Sequence, residues 1–376
     1  MKEMLEKMKN VCVVLSVIIV FGISFSACHK TDKPIVLDTE VIGFDDFGNA
    51  LLKLTPKEMA DAGFELGDVL QMASSDTVFS LPYYDGYYCG FGGIQVISYN
   101  VYPNVMIASS FSPIPDNLGI VAGAKLSFSM FEKGGAIDIQ QAMGVSYSND
   151  IADYQNDAVR FANAREVKFG RIAEGRLFRT ASPFDDLNNR AFYVSSFLQE
   201  KGVGCVLDLA DDEERLQSLV DSMPEYSRWL YESGCVVPCK INANYRSDET
   251  DAKMLKGMVE MCEKPGPYVV HCLEGKDRTG YACAVLEAIC GASYAEIVVD
   301  YMLTYENYYN YNQYNNPTFY NIIVSLRLND ALMYYCGIDD ESLLPTIDLE
   351  ASVRRFMLNH GLTETEIDHL QHVLCD

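Results

Sequence analysis

The chain has 376 residues, of which 49% are hydrophobic and 22% charged, and its formal net charge is −24. This is the composition of a globular protein with a large core, and the length favours two domains. Nucleic acids and anionic lipid surfaces are polyanions, and proteins bind them through positive charge. The net negative charge therefore excludes a typical nucleic-acid-binding protein and disfavours electrostatic binding to anionic lipid headgroups.

The first 27 residues predict a secretory signal. A lysine-rich start precedes an apolar run over 11–25, VCVVLSVIIVFGISF, which is shorter than the ~20 residues of a membrane-spanning helix. The run ends in Phe25-Ser26-Ala27-Cys28, and small residues before a cysteine resemble a bacterial lipoprotein signal. The resemblance implies a lipid anchor at Cys28 that attaches the protein to a membrane of the cell envelope, on the periplasmic side or at the outer-membrane surface. A plain signal peptide or a single anchor helix is the alternative, and residues 28–34 predict a polar tether.

Residues 35–155 predict a β-rich domain, either a barrel or a sandwich. Short strand-like runs alternate there with turns that contain glycine. The runs cover 35–42, 50–54, 68–72, 94–99, 105–109 and 124–130. One helix is predicted after Thr55, because Thr55-Pro56-Lys57-Glu58 is a capping box with proline at the first helical position, and Gly63 ends it.

Two segments of this domain resemble a known β-domain. Residues 43–49, GFDDFGN, and 121–126, VAGAKL, are similar to parts of the C-terminal domain of S-adenosylmethionine hydroxide adenosyltransferases. The resemblance implies that Phe47 and Asn49 contact a nucleoside, although the catalytic domain of that family has no counterpart in this chain. The alternative is a β-turn in which Asp45 and Gly48 serve the backbone geometry.

From 156 to 376 the pattern changes to strands that alternate with helices. Strands are predicted over 204–209, 235–241 and 268–271, and helices over 187–201 and 250–264. Capping boxes at Ser293 with Glu296 and at Thr363 with Glu366 open two later helices. This alternation indicates an α/β fold, with a central sheet that helices cover on both faces.

The chemistry is concentrated in residues 271–280, HCLEGKDRTG, which follow an apolar strand and open an apolar helix. A loop between a strand and a helix N-terminus binds anions, because its backbone N–H groups and the helix dipole are both positive. Such surroundings favour the thiolate form of Cys272. Arg278 lies six residues later, where its planar fork can grip two oxygens of a phosphate.

The string matches HC-x5-R and resembles the Cys-dependent protein tyrosine phosphatase superfamily, in particular its bacterial tyrosine and phosphoinositide phosphatase branch. Three further segments are similar to that branch: Gly175–Ala181, Val206–Leu209 and Asp300–Thr304. Ala210 departs from the pattern, because the branch usually has arginine after Asp-Leu. The resemblance covers residues 164–376 and implies a tyrosine-phosphatase-like central sheet flanked by helices.

The resemblance also implies a role for each site residue. Cys272 is the expected nucleophile, Arg278 the phosphate ligand, and Thr279 a hydrogen-bond donor to the sulfur. His271 is expected to tune the thiolate, and Asp208 to organise the loop. The substrate-binding residues are expected to be the loop and one upstream arginine: Leu273, Glu274, Gly275, Lys276, Arg278 and Arg179. The general acid is expected to be Asp277, with Asp248, Glu249 and Asp251 as alternatives.

These assignments predict a protein-tyrosine-phosphatase-like hydrolase that cleaves phosphomonoesters through a phosphocysteine. Phosphotyrosine in a protein or peptide, or a similar small aryl phosphate, is the expected substrate. Lys276 makes an inositol phosphate or phosphoinositide the alternative, while Glu274 and the acidity of the chain disfavour it. A binding lipoprotein with a vestigial phosphatase domain is the alternative from another class. No group of cysteines and histidines has the spacing of zinc ligands, so neither a metal nor another cofactor is expected.

Overall fold

The computed structural model describes residues 35–75, 77–99, 102–115, 118–242 and 246–376. The predicted signal, the tether and the lipidated Cys28 lie outside these residues. In the described ranges, no helix is both long and apolar enough to cross a membrane.

Seven strands close into a barrel in the order β1-β2-β6-β5-β4-β3-β7. They are β1 Val36–Phe44, β2 Ala50–Leu52, β3 Val69–Ala73, β4 Val78–Tyr84, β5 Ile94–Ile97, β6 Met106–Ser109 and β7 Lys125–Glu132. Alternate side chains point inward, as Leu70 and Met72 of β3 do, and together they fill the barrel. The structure therefore shows the barrel of the two predicted alternatives. The sequence did not predict β4, which contains Pro82, a residue that cannot donate a hydrogen bond to a neighbouring strand.

The segment that resembles a nucleoside-binding domain forms a tight turn. The carboxylate of Asp45 accepts hydrogen bonds from the backbone N–H groups of Phe47 at 3.0 Å and Asn49 at 2.9 Å. The amide of Asn49 donates to Asp45 and to the hydroxyl of Tyr87, both at 2.8 Å. Phe47 is 77% exposed. The side chain of Asn49 is therefore bonded to the protein itself, to Asp45 within the turn and to Tyr87.

A five-stranded sheet forms the centre of the second part, in the order β11-β10-β12-β9-β8. Its strands are β8 Arg165–Glu166, β9 Leu177–Thr180, β10 Cys205–Asp208, β11 Val236–Pro238 and β12 Tyr268–His271. All neighbours are parallel except β8, which pairs antiparallel with β9. The sequence predicted β10, β11 and β12, but neither β8 nor β9. The carboxyl ends of β10 and β12 meet at one edge, where Asp208 lies beside His271.

Thirteen helices of α type are described. They are α1 Pro56–Asp61, α2 Ile137–Met143, α3 Ala158–Phe161, α4 Ala191–Lys201, α5 Glu213–Leu219, α6 Glu225–Glu232, α7 Asp248–Cys262, α8 Asp277–Ile289, α9 Tyr294–Tyr309, α10 Pro317–Ile323, α11 Asp330–Cys336, α12 Leu349–Asn359 and α13 Glu364–Cys375. All three predicted capping boxes are confirmed, at the starts of α1, α9 and α13. A π-helical turn, Val324–Asn329, joins α10 to α11.

Three helices begin at other residues than predicted. Helix α7 starts at Asp248 rather than at residue 250. Helix α4 starts at Ala191 rather than near Leu187, because Asn189 adopts a left-handed conformation and the carboxylate of Asp186 caps the N–H of Ala191 at 3.0 Å. Helix α8 starts at Asp277, inside the string 271–280, whereas the helix was predicted to start after this string, at Tyr281.

The barrel and the α/β part belong to one compact unit, Val36–Asp376. Helix α2, which follows the last barrel strand, packs against α10. The domain boundary predicted between 155 and 156 falls between a short 3-10 segment, Ile151–Tyr154, and α3, and it stays a prediction.

Candidate active site

Residues 272–276 form a loop between the end of β12 and the first turn of α8. The loop turns sharply at Gly275, where φ is +66°. A Cβ atom at this position would lie 2.3 Å from the carbonyl oxygen of Thr180, so the backbone of β9 leaves room for glycine alone. The N-terminus of α8 therefore points at the hollow of the loop, with its partial positive charge.

The carbonyl groups of this loop point outward to a shell of donors. Their donors are the N–H of Ser182 to Leu273 at 3.1 Å, the hydroxyl of Tyr308 to Glu274 at 2.6 Å, and Asn163 and Arg179 to Gly275 at 3.1 and 3.0 Å. In the described part of the chain, the backbone N–H groups of 273–276 donate to no protein acceptor. Because the carbonyl groups are hydrogen-bonded on the outside of the loop, the N–H groups remain available to bind an anion at its centre. The loop is an anion cradle.

Cys272 and Thr279 lie at the base of this cradle. Cys272 is 3% exposed, and its residue follows the last position of β12. Thr279 is fully buried in the first turn of α8, and its hydroxyl has no hydrogen-bond partner among the described residues. A buried donor without an acceptor costs free energy, so this hydroxyl is available for a bond to a group bound in the cradle or to the sulfur.

The guanidinium of Arg278 is hydrogen-bonded to the protein through one nitrogen, and its other two nitrogens are available to a ligand. Its Nη1 atom donates to the carbonyl oxygens of Leu209 at 3.1 Å and Ile241 at 3.3 Å, just beyond β10 and β11. Its Nε and Nη2 atoms donate to no acceptor within the described ranges. These two nitrogens form one edge of the guanidinium, the edge that suits two oxygens of a phosphate.

His271 and Asp208 form a buried pair beside the nucleophile. The Nε2 atom of His271 lies 3.6 Å from Oδ1 of Asp208, and burial lowers the pKa of His271 to about 4, which keeps the imidazole neutral. Burial also raises the pKa of Asp208 to about 7. Oδ1 of Asp208 accepts from the N–H groups of Ala210 at 2.7 Å and Asp211 at 3.1 Å. Asp208 thus shapes the turn that presents the Leu209 carbonyl to Arg278, and it does so through backbone groups that do not need arginine at position 210.

Arg179 lies beneath the cradle, whereas the resemblance implied that this arginine binds the substrate. It is 1% exposed, and its Nη2 atom donates to the carbonyl oxygens of Gly275 and Lys276 at 3.0 and 3.4 Å. Its Nη1 atom pairs with Asp300 of α9. The side chain of Arg179 extends from β9 to the loop carbonyl groups and to Asp300, and so lies below the loop and not at the surface. Arg179 supports the loop from below.

Asp300 joins two arginines in this support. It pairs with Arg179 and, at 2.9 Å, with Arg165 of β8. Burial would raise the pKa of Asp300, but Arg165 and Arg179 outweigh it and hold the pKa below its ordinary value. The two family-like segments around Arg179 and Asp300 thus meet as one ion cluster. The sequence did not predict these roles for Arg165, Asn163 and Tyr308, which lie outside the family-like segments.

The candidate general acids lie in different surroundings. Asp277 begins α8 on the rim of the cradle, is 42% exposed, and has Nζ of Lys276 at 3.7 Å. Asp251 is buried in α7, where it accepts a hydrogen bond from Tyr334 at 2.6 Å, and burial raises its pKa to about 6. Asp248 and Glu249 are exposed at the start of α7. Asp277 is therefore the candidate that the fold places on the loop itself.

Lys276 forms ion pairs with two carboxylates of the loop. Its Nζ atom lies 3.3 Å from Glu274 and 3.7 Å from Asp277. Burial would lower the pKa of Lys276, but Asp277, Tyr309 and Glu274 outweigh it and hold the pKa well above its ordinary value. In the part of the chain that the structure describes, no three His, Cys, Asp or Glu side chains form a group that could hold a metal ion.

Comparison with known proteins identifies a family for this chain. The model of the tyrosine phosphatase family matches residues 160–376, more than half of the chain. No curated protein matches. The core catalytic domain of PP-IP phosphatase SIW14 from S. cerevisiae, solved with citrate, is 17% identical over 48% of this chain and 88% of its own, with a TM-score of 0.30. An uncharacterized conserved protein from Thermotoga maritima is 18% identical, with a TM-score of 0.23, and the match covers 28% of this chain and 41% of that one. The chain belongs to the tyrosine phosphatase family.

Proposed function

We propose that the protein hydrolyses phosphomonoesters through a phosphocysteine at Cys272, with phosphotyrosine or a similar aryl phosphate as its substrate. The observation that carries this proposal is the arrangement of the loop: its carbonyl groups are bonded outward and its N–H groups are left for an anion, directly above a cysteine. Such preorganised donors stabilise the negative charge of the phosphoryl group during transfer.

The reaction has two steps on this geometry. The thiolate of Cys272 attacks phosphorus, the bond to the ester oxygen breaks, and Asp277 gives that oxygen a proton. A water molecule then attacks the phosphocysteine, Asp277 takes a proton back from the water, and the thiolate leaves. Arg278 holds two phosphoryl oxygens with the edge that the protein leaves open, and Thr279 donates to the sulfur as it departs.

The charges around the cradle support a substrate with one phosphate. Lys276 is partly neutralised by Glu274 and Asp277, and Arg179 is paired with Asp300 below the loop. The chain as a whole is strongly acidic, with a net charge of −24. A second phosphate would therefore meet few unpaired cations among the residues that form the cradle.

The purified protein should hydrolyse p-nitrophenyl phosphate in the presence of EDTA, and vanadate should inhibit it competitively. Activity that disappears with EDTA and returns with a divalent metal would contradict the phosphocysteine mechanism. The substrate class is tested separately, by comparing kcat/KM for a phosphotyrosine peptide with that for inositol phosphates. A higher kcat/KM for an inositol phosphate would contradict the aryl preference alone.

Asp277→Asn should lower kcat for phenyl phosphate by roughly 10²- to 10⁴-fold, the range of general acid catalysis. The loss should be much smaller for p-nitrophenyl phosphate, because p-nitrophenolate leaves without a proton. A general acid must be protonated, so the substitution should also flatten the alkaline limb of the pH profile. Asp248→Asn is the matched control and should keep that limb. If Asp248→Asn flattens the alkaline limb and Asp277→Asn keeps it, the general acid lies on α7.

A further inference from the structure

Arg190 is a buried cation that the proposed reaction does not use. It directly precedes α4 and is 1% exposed. Its guanidinium donates to the carbonyl oxygens of Phe161, Asn188 and Ser148 at 2.9, 2.8 and 2.8 Å, to the amide oxygen of Asn149 at 2.6 Å, and to the hydroxyl of Tyr154 at 3.3 Å. All these acceptors are uncharged. Within the described ranges this guanidinium therefore forms no ion pair with a carboxylate, and its charge stays unbalanced.

Four aromatic rings surround the guanidinium of Arg190, and we call them the arginine cage. The central carbon of the guanidinium lies 4.4 Å from the ring centre of Phe161, 4.9 Å from that of Tyr147, 5.1 Å from that of Tyr308 and 5.9 Å from that of Tyr154. The faces of aromatic rings carry partial negative charge, so the cage stabilises a cation that has no counter-ion. The cation in turn draws electron density from the rings, and a phenol of the cage becomes a stronger hydrogen-bond donor.

Tyr308 joins the arginine cage to the loop. It is 7% exposed, its ring stacks on that of Tyr147 at 4.8 Å, and its hydroxyl donates to the carbonyl oxygen of Glu274 at 2.6 Å. Burial raises the pKa of Tyr308 well above its ordinary value, so the hydroxyl keeps its proton and remains a donor. Asn163 gives the same carbonyl oxygen a longer bond, at 3.4 Å.

The carbonyl of Glu274 and the N–H of Gly275 belong to one peptide group. This peptide bond is trans, so the two groups point in opposite directions. Because Tyr308 binds the carbonyl on the outside of the loop, the N–H of Gly275 points to the inside, where an anion binds. A hydrogen bond to the carbonyl polarises the whole peptide group, and its N–H becomes a stronger donor.

We propose that Arg190 is a positioning residue for the cradle and that it acts through Tyr308. The cation orients and polarises the phenol, the phenol polarises the peptide group 274–275, and the N–H of Gly275 binds the phosphoryl group more strongly. This inference rests on the proposed function, because it takes the ligand of the cradle to be a phosphoryl group. Arg179 acts in the same way on the next peptide group, since it donates directly to the carbonyl of Gly275 at 3.0 Å. Two buried cations thus strengthen two consecutive donors of the loop.

Tyr308→Phe removes the hydroxyl and keeps the ring in the arginine cage. The Kd for inorganic phosphate, measured by isothermal titration, should rise roughly five- to tenfold, the effect of one hydrogen bond. For p-nitrophenyl phosphate, kcat should fall more than KM rises, because the donors of the loop act on charge that develops during transfer. Tyr226→Phe is the matched control, since its hydroxyl also donates to a backbone carbonyl, that of Val203 at 2.9 Å, and it should change neither Kd nor kcat.

Asn149→Asp tests the charge of Arg190. The substitution places a carboxylate at the Nη1 atom of Arg190 and balances the cation with little change of shape. The protein should stay folded, with an unfolding temperature no lower than that of the wild type, yet its Kd for phosphate should rise about threefold. Ser146→Asp is the matched control, because it adds the same charge to the same segment at an exposed residue that does not bond to Arg190. It should leave the Kd near that of the wild type.

Arg190→Met, alone and combined with Tyr308→Phe, tests the route of the effect. Arg190→Met removes the cation, so the Kd for phosphate should rise about threefold, as in Asn149→Asp. In the double variant the Kd should not exceed that of Tyr308→Phe, because the hydroxyl through which Arg190 acts is already absent. A merely structural effect lowers the number of binding sites per chain and leaves the Kd of the folded fraction unchanged. Arg228→Met is the matched control, since it removes an arginine that also donates to backbone carbonyls.

The outcomes separate this inference from the proposed function. A wild-type protein that binds phosphate but shows no EDTA-resistant hydrolysis overturns the proposed function, and the Kd values still decide the inference. A wild-type protein that does not bind phosphate overturns both. In an active protein, a wild-type Kd in Tyr308→Phe overturns the inference alone. A double variant whose effect is the product of the two single effects overturns it as well. Equal Kd values in Asn149→Asp and Ser146→Asp also overturn it, even where Arg190→Met does not fold.

Discussion

Cys272→Ser is expected to lower kcat by on the order of 10⁴-fold or more, the scale on which nucleophile substitutions act. Serine nearly matches cysteine in shape, but its hydroxyl is not ionised at neutral pH and has no adjacent base here, since His271 is turned to the backbone and to Asp208. The cradle itself should persist, because its outward carbonyl bonds come from Ser182, Tyr308, Asn163 and Arg179. The variant should therefore still bind phosphate and the substrate.

Two measurements check this expectation together. Hydrolysis of p-nitrophenyl phosphate gives kcat, and isothermal titration with a phosphotyrosine peptide gives the Kd of the inactive variant. Cys235→Ser is the matched control, because this thiol is partly exposed and lies far along the chain from the loop. Residual activity within tenfold of the wild type, or equal losses in both variants, would indicate that the sulfur of Cys272 is not the nucleophile. If the protein binds the peptide but the wild type does not hydrolyse p-nitrophenyl phosphate, the alternative of a vestigial phosphatase domain is favoured.

The loop was predictable from the sequence because its information is local. The end of a buried strand, a cysteine, a glycine and an arginine lie within ten consecutive residues, 271–280, and local geometry dictates how they fold. The three capping boxes were predictable for the same reason, since each is a contact between residues three apart. Strand β12 has the predicted bounds, whereas β4, β8 and β9 were missed. These strands have weak alternation, are two to seven residues long, and are defined by their partners.

The support of the loop was not predictable, because it joins residues far apart in the chain. Asn163 reaches Gly275, and Tyr308 reaches Glu274, over separations that no local pattern encodes. Arg179 was expected to bind the substrate, since an arginine in a family-like motif suggests an anion ligand. Only its contact with Asp300, 121 residues later in the chain, shows that its side chain points inward.

The charges in and below the loop show how a strongly acidic chain can provide a site for an anion. The loop binds an anion in a protein of charge −24, so its positive character must be local. It comes from the N–H groups, the start of α8 and Arg278, while the buried cations Arg165 and Arg179 share one anion, Asp300. The ion cluster therefore fixes the geometry of the loop and keeps one net positive charge beneath it. It follows that its loss should affect stability and activity together.

Asp300→Asn is expected to destabilise the protein by about 3–5 kcal/mol, the range for breaking a buried ion pair, because two buried guanidinium groups lose their only shared anion in the described structure. Asparagine keeps the shape and one acceptor oxygen, so the change is chiefly one of charge. With Arg179 less firmly held, the carbonyl of Gly275 loses a fixed donor, and kcat should fall as well. Urea unfolding gives the free energy, and the metal-free phosphatase assay gives kcat.

The matched control is Asp368→Asn, which removes a surface carboxylate that pairs with Arg354 and should cost no more than about 1 kcal/mol. A second variant tests the cause. In the Asp300→Asn background, Arg165→Met removes one of the two unpaired cations, and it should restore part of the lost free energy. Burial and Arg179 already lower the pKa of Arg165, which shows that this cation depends on Asp300. Wild-type stability in Asp300→Asn would mean that the cluster is dispensable, and that the shell of neutral donors holds the loop alone.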